Sequence, residues 1–323
     1  MYVHGFTLPK FLVSFLRVTC GFTPNKKSHF CSNLGTMTQL PIIKTIKDSH
    51  GVESTLYEWH AANPRAVVQI VHGLGEHARR YDHLAEFLVS NGFSVYADDH
   101  RGHGETGLAQ VASGQTKIMG NLGPGGMPAT FEAVHDVSKL IRKEHKGLPL
   151  ILLGHSWGSF ISQKLVNRYS KEYDLLVLSG TTLTMPHTMR AFNFNAKWKS
   201  PTATGYEWLS RDPKVGEAFA ADHRCFYADA AKVFGIANSL RLYGVPSTEV
   251  RSELPILVLV GSDDPIGAER GAKALVDSYR SRAGVEDIEL IVYHGARHEV
   301  YNETNKDEVY SDLLGWLNAH LGN

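Results

Sequence analysis

The apolar run Leu150-Ile-Leu-Leu153 ends directly on Gly154-His-Ser-Trp-Gly158, and a segment with apolar residues at helical spacing, Phe160, Ile161 and Leu165, follows at once. A short all-apolar run is expected of a central parallel strand covered on both faces. A strand that reverses into a helix within so few residues needs glycines two positions to either side of the turn, because side chains there would clash. Such an elbow lifts the Ser156 hydroxyl to the carboxyl edge of a sheet. The start of the next helix then aims amide donors and a positive dipole end at it.

The rest of the chain fits this local demand. From Pro41 onward, strand-like segments alternate with helix-period segments, the pattern of a mostly parallel sheet covered by helices. Ile42 to Lys47 and Ser54 to His60 read as an opening antiparallel pair. Val67 to Val71, Ser94 to Asp98, Leu150 to Leu153, Leu175 to Leu178, Ile256 to Val260 and Ile288 to Tyr293 read as the further strands. Helices are expected from Tyr81 to Asn91, from Thr130 to His145, from Trp157 to Tyr169, from Gly267 to Arg282, and around Val309 to Leu317. Between Thr181 and Glu249 the rhythm stops in a stretch rich in aromatics, Met and Pro. The expected organisation is therefore an α/β core in two parts, 37–180 and 251–323, with a mainly helical cap at 181–250.

Residues 1–36 precede this rhythm and are expected to be a disordered extension. Phe11 to Leu16 is apolar and follows Lys10, but Arg17 breaks the run, which is too short to span a bilayer and lacks a clean cleavage site. With 33 basic against 33 acidic side chains and no cationic run, nothing favours nucleic acid as a partner. Cys20, Cys31 and Cys225 have no metal-ligand spacing and no disulfide framework, which fits a reducing, cytoplasmic setting. No metal or other cofactor is expected.

A serine hydroxyl is a weak nucleophile near neutral pH and needs a base that is itself held in one tautomer. Of 17 histidines, His298 in Gly295-Ala-Arg-His298 follows the last expected strand and precedes the last helix, which puts it at the same sheet edge as Ser156. His294, at the strand end before the turn glycine, is the runner-up. Gly261-Ser-Asp-Asp264 follows the strand Ile256 to Val260, and on this reading either Asp263 or Asp264 reaches the histidine. Two amides are expected to hold an oxyanion. Trp157 follows the nucleophile, and Leu74 in His72-Gly-Leu-Gly75 sits on the loop after an earlier strand.

Taken together, these blocks resemble the monoacylglycerol lipase and lysophospholipase-like branch of the α/β-hydrolases, which is grouped with serine aminopeptidases. His72-Gly-Leu-Gly-Glu-His77 with Arg80-Tyr81, Asp99-His-Arg-Gly-His-Gly104, Gly261-Ser-Asp-Asp264 and Gly295-Ala-Arg-His298 carry the similarity, which runs from Pro41 to the C-terminus apart from the cap. The resemblance implies an α/β-hydrolase fold and a triad of Ser156, His298 and Asp264 in preference to Asp263. It also implies cofactor-free cleavage of acyl esters of small molecules such as monoacylglycerol or lysophospholipid. The family commonly has Met where Trp157 stands, and the bulk of Trp157 is expected to reshape the acyl pocket. Arg101 and His103 read as structural hydrogen-bonding residues. Phe192, Phe194, Trp198, Trp208, Phe219 and Phe226 are candidates for an acyl tunnel or for the cap's own core, the latter being favoured. The cap is also the surface for any transient membrane contact; the oligomeric state is left open. Two competing readings are a peptidase that holds a substrate ammonium on Glu207, Asp212, Glu217 or Asp222, and a noncatalytic receptor on a hydrolase scaffold.

Overall fold

Eight strands join into one sheet in the computed structural model, which describes residues 40–190, 193–227 and 229–322. The expected extension at 1–36, Cys20, Cys31 and Phe192 lie outside the described residues. Strands β1 (Ile42–Lys47) and β2 (Glu53–Trp59) are antiparallel, and β2 pairs antiparallel with β4 (Phe93–Asp98). All later pairings are parallel, through β3 (Ala66–Val71), β5 (Leu150–His155), β6 (Leu175–Ser179), β7 (Ile256–Gly261) and β8 (Ile288–Tyr293), giving the order β1-β2-β4-β3-β5-β6-β7-β8.

The helices are α1 (Asp82–Ser90), α2 (Gly104–Ala112), α3 (Gly126–Glu144), α4 (Trp157–Tyr169), α5 (Pro213–Ala221), α6 (Ala230–Phe234), α7 (Ile236–Leu240), α8 (Ala268–Ser278) and α9 (Lys306–Leu321). Side chains of successive strand residues point to opposite faces, so an all-apolar strand feeds two cores at once. Leu150 and Leu152 join Val258 and Val260 under Val134 and Ile141 of α3, Ile161 of α4 and Leu275 of α8. Ile151 and Leu153 join Leu257 and Leu259 under Leu84 and Leu88 of α1 and Val309, Leu313 and Trp316 of α9. The polar intrusion in β3 is answered: the Gln69 amide donates to the Val134 carbonyl (2.8 Å) and accepts from the Ser138 hydroxyl (2.5 Å).

The strand and helix order expected from the sequence is the order observed, with two differences at helix starts. Helix α2 is additional. Its first amides have no partner within the helix, and the buried Asp99 carboxylate supplies one by accepting from the Glu105 N–H (2.8 Å). Gly104, at φ +52, admits that carboxylate where any Cβ would overlap it. Helix α3 begins at Gly126 and not Thr130, because Asn238, 111 residues away, accepts from the Met127 N–H (3.1 Å). Between β6 and β7 the regular elements among the described residues are all helical and short, the longest being the nine residues of α5.

The elbow is where the fold is tightest. A Cβ on Gly158 would overlap the Val71 carbonyl, and one on Gly154 would run into the Gly158 carbonyl. Gly158→Ala is therefore expected to lower stability by about 3 kcal/mol or more, the upper range for overpacked sites. Gly147→Ala, at φ +84 with open space around it, should cost only about 1 kcal/mol. Urea midpoints compare the two, and equal losses would show that β3 moves aside freely.

Candidate active site

Ser156 is the residue between β5 and α4, held at φ +52 and ψ −123, a conformation that L-residues avoid and that the surrounding packing must impose. Its backbone is pinned on both sides: the Ser156 N–H donates to Ser179 O (3.0 Å), and Ser156 O accepts from the Ser159 hydroxyl (2.6 Å) and the Ser159 N–H (2.9 Å). The side chain opens into a narrow cavity lined by Gly73, Leu74, Trp208, Phe219 and His298, and the residue is only 8% exposed.

His298 and Asp264 arrive on the loops after β8 and β7. The His298 ring is buried, with Nδ1 2.9 Å from Asp264 Oδ2, while Asp264 Oδ1 accepts from the Ile266 N–H (2.9 Å). An Asp264 carboxylate there requires Nδ1 to carry a proton, which leaves the buried Nε2, with no protein partner among the described residues, free to accept one. Asp263 points elsewhere and pairs with Lys197 (2.7 Å). His294 lies outside this cavity. The two loops touch through backbone, with the Asp263 N–H on Ala296 O (2.9 Å) and the Ser262 N–H on Tyr293 O (3.0 Å). Gly261 is required for that approach, since a Cβ would overlap the Ala296 and Arg297 carbonyls.

Burial opposes charge on His298, but the carboxylates of Asp264, Glu299 and Glu76 outweigh it and raise its pKa above the ordinary value of 6.5. Glu76 and Glu299 share Arg80, which donates to Glu76 Oε2 (2.7 Å) and to both Glu299 oxygens (2.5 and 2.7 Å). Both carboxyl groups are buried, and Arg80 is half-buried between them. Burial raises the Glu76 pKa against the pull of Arg80, whereas the Glu299 pKa falls to about 2 because Arg80 and Asn302 outweigh its burial. The other Glu76 oxygen accepts from the Gly73 N–H (2.6 Å) and the Tyr81 hydroxyl (2.8 Å). Glu76, Arg80 and Tyr81 therefore fix the loop that carries Leu74 against Ser156. Sequence reasoning did not foresee this network, although Glu76, Arg80 and Tyr81 stand in a block that carries the family resemblance.

Leu74 lines the Ser156 cavity, and Trp157 opens α4, where the first amides have no helical partner. The Trp157 indole does not line that cavity. It is buried between His103 (4.8 Å between ring centroids) and Phe234 of α6 (4.9 Å), so its bulk packs against α6. His103 is pushed down to a pKa of about 3 by burial, and its Nδ1 meets the Arg101 carbonyl (2.9 Å). Arg101 is buried too, donating to Asp48 (2.7 Å) and to the Leu122 (3.1 Å) and Pro124 carbonyls.

Of the aromatic candidates, Phe194, Trp208 and Phe219 share one buried cluster with Phe160 and Ile266, against which Trp198 packs. Phe226 lies apart, against His103 (5.1 Å). Trp208 covers His298 (4.9 Å), and the His298 and Glu299 N–H groups donate to Trp208 O (3.3 Å) and Leu209 O (2.7 Å). His77, Asp222 and Cys225 bring possible metal-ligand atoms within 4.8 Å of one another. The Asp222 oxygens there already accept from Arg224 (2.9 and 2.8 Å) and face His77 Nε2 (2.9 Å), and a guanidinium in that position repels a cation.

Comparison with known proteins agrees with this architecture. The chain is 34% identical over 272 residues to a monoacylglycerol lipase of Mycolicibacterium smegmatis, covering 80% of this chain and 90% of that one. It is 28% identical to the monoglyceride lipase of Mus musculus, covering 81% and 85%. Among solved structures, a thermostable carboxyl esterase from Bacillus coagulans in complex with glycerol superposes with a TM-score of 0.73 at 24% identity, covering 88% of this chain and all of that one. A soluble variant of monoglyceride lipase from Saccharomyces cerevisiae superposes at 0.69 and 21%, covering 89% and 97%. The sequence pattern of the serine aminopeptidase S33 family matches residues 62–305. With its mostly parallel sheet, its elbow at Ser156 and a match over most of its length, the chain belongs to the serine aminopeptidase S33 family of α/β-hydrolases.

Proposed function

We propose that Ser156 is the nucleophile, His298 the general base, Asp264 the residue that orients it, and the Leu74 and Trp157 amides the oxyanion donors of a carboxylic ester hydrolase acting on monoacylglycerols. The observation that carries this reading is the His298 ring, locked through Nδ1 on Asp264 with a bare Nε2 in the cavity that Ser156 lines. His298 takes the proton as Ser156 attacks the ester carbonyl and returns it to the departing alcohol. Water then releases the acyl-enzyme by the same route. The names of the relatives supply the acylglycerol class.

The peptidase alternative needs a free anionic group near Ser156. Glu207 is held by Asn195 (2.6 Å) and the Thr204 N–H (2.5 Å), Asp212 caps α5, Asp222 is paired with Arg224, and Glu217 is exposed on α5. Glu76 and Glu299, which do line the cavity, are both already paired with Arg80. The ester reading is favoured on this ground.

We assign 181–250 as a cap over the core and place transient lipid contact on it. Ile236 and Leu240 of α7 are 73% and 59% exposed, and no helix among the described residues is long and apolar enough to cross a membrane. Changing Ile236 and Leu240 together to Glu should release the protein from lipid vesicles in flotation while leaving hydrolysis of a dissolved short-chain ester unchanged.

Ser156→Ala and His298→Ala should each abolish turnover, with the double variant no worse than the single ones. Asp264→Asn should lower kcat on the order of 10⁴-fold, and Asp263→Asn far less. The pH profile carries a separate signature. A base must be neutral to act, so activity falls as pH drops through the His298 pKa, which lies above 6.5. Asp264→Asn removes charge that raises it and should move this acid limb to lower pH. A limb that stays in place would exclude Asp264 as the partner.

Substrate class is read from chain length. Each buried methylene is worth about 0.8 kcal/mol, so two added carbons raise kcat/KM by up to roughly fifteenfold until the acyl site is full. Measured below the micellar concentration, a profile flat from butyrate upward would rule out an acyl-binding cap.

A further inference from the structure

The peptide that joins Ser156 to Trp157 is trans and planar, so its carbonyl and its N–H point in opposite directions. Whatever fixes Ser156 O therefore aims the Trp157 N–H. The tilt of this peptide is set by the ψ of Ser156, −123° at a residue held at φ +52, outside the wells in which an L-residue rests. No intrinsic backbone minimum holds that orientation, and it depends on ties from outside.

Three donors meet Ser156 O. The Ser159 N–H (2.9 Å) and the Phe160 N–H (3.2 Å) are amides of the first turn of α4, while the Ser159 hydroxyl, at 2.6 Å, is the nearest of the three. Ser159 is buried, and its hydroxyl has a second acceptor in reach, Thr181 Oγ1 (2.8 Å), just beyond β6. Its single proton serves one of them at a time. The buried Gln163 side chain already donates to Thr181 Oγ1 (3.1 Å), which leaves the nearer Ser156 O as the better acceptor.

A helical serine often bonds back to its own preceding turn with no further effect, and α4 holds such a case in the Ser162 hydroxyl, which donates to Gly158 O (2.8 Å). Ser159 differs in which peptide it holds. The N–H of the Gly158–Ser159 peptide is already spent on Ser156 O. The Trp157 N–H opens α4 and has no helical carbonyl to take it. A donor on an amide oxygen also polarises the whole amide, which makes its N–H the stronger donor.

We infer that Ser159 is a positioning residue for the oxyanion side of the site: its hydroxyl fixes the Ser156–Trp157 peptide and strengthens the Trp157 N–H, without touching substrate itself. The inference rests on the ester-hydrolase reading and adds to it a residue that acts only through the backbone of the nucleophile.

The test compares Ser159→Ala with Ser162→Ala, which removes the same kind of bond farther along the same helix. Ser159→Ala should lower kcat for dissolved hexanoylglycerol roughly tenfold with KM unchanged, a smaller loss than follows deletion of an oxyanion donor outright. Ser162→Ala should keep both constants near wild type, and Ser159→Cys, which leaves a weaker donor in place, should fall between. A hexyl trifluoromethyl ketone reads the oxyanion directly. Ser156 Oγ bonds to the ketone carbon, the carbonyl π pair moves onto oxygen, and the serine proton passes to His298 Nε2. Ser159→Ala should weaken this ketone by the same factor as kcat/KM, while binding of hexyl glyceryl ether, which has no carbonyl, holds. Equal losses of kcat in Ser159→Ala and Ser162→Ala, an unweakened ketone, or ether binding that falls along with the ketone would each overturn the inference. Should Ser159→Ala not fold, Ser159→Cys carries the same comparison. Wild-type protein that neither cleaved the ester nor added to the ketone would overturn the ester-hydrolase reading and the inference with it.

Discussion

The close passage of α4 under the end of β3, at Gly158 against the Val71 carbonyl, is the constraint on which the rest of the site depends. It sets the distance between β5 and β3 at the carboxyl edge, and that distance decides whether the loop after β3 meets the serine. Gly73 sits directly against Ser156, where a Cβ would fall 3.1 Å from the serine Cβ. The positive φ of Ser156 follows from the same geometry, since only a sharply turned backbone leaves β5 and enters α4 without moving either. Strain held at one residue is repaid by the two apolar layers that fix the sheet.

Electrostatics add a second layer of control. Three carboxylates and one guanidinium surround His298, so the site has an excess of negative charge even before substrate enters. Such surroundings favour an imidazolium at His298 and offset the cost of burying it. Arg80 keeps this excess from becoming prohibitive, and through Glu76 the same side chain steadies the Gly73–Leu74 loop. One ion network thus acts on both the His298 ring and the Gly73–Leu74 loop.

Much of this is legible in the sequence because it is local. Apolar strands buried on both faces and glycines at a turn announce themselves within a few residues, and so the sheet, the elbow at Ser156 and the loops bearing Asp264 and His298 can be read in order. The choice between Asp263 and Asp264 is not local. It depends on which carboxylate faces a ring 34 residues further on, and a family resemblance rather than spacing pointed to Asp264. The start of α3, set by Asn238, and the destination of the Trp157 indole, set by Phe234, are invisible for the same reason: their partners come from the inserted segment, whose composition carries no periodicity.

The segment between β6 and β7 also supplies acceptors to the loop after β8. The amides of His298 and Glu299 end on the Trp208 and Leu209 carbonyls, so the loop bearing His298 is completed by backbone from that segment. Parting of that segment from the loop would strip these two amides of their partners and expose them to solvent. Their deuterium uptake is thus a built-in clock for any such parting, read at the His298 loop itself.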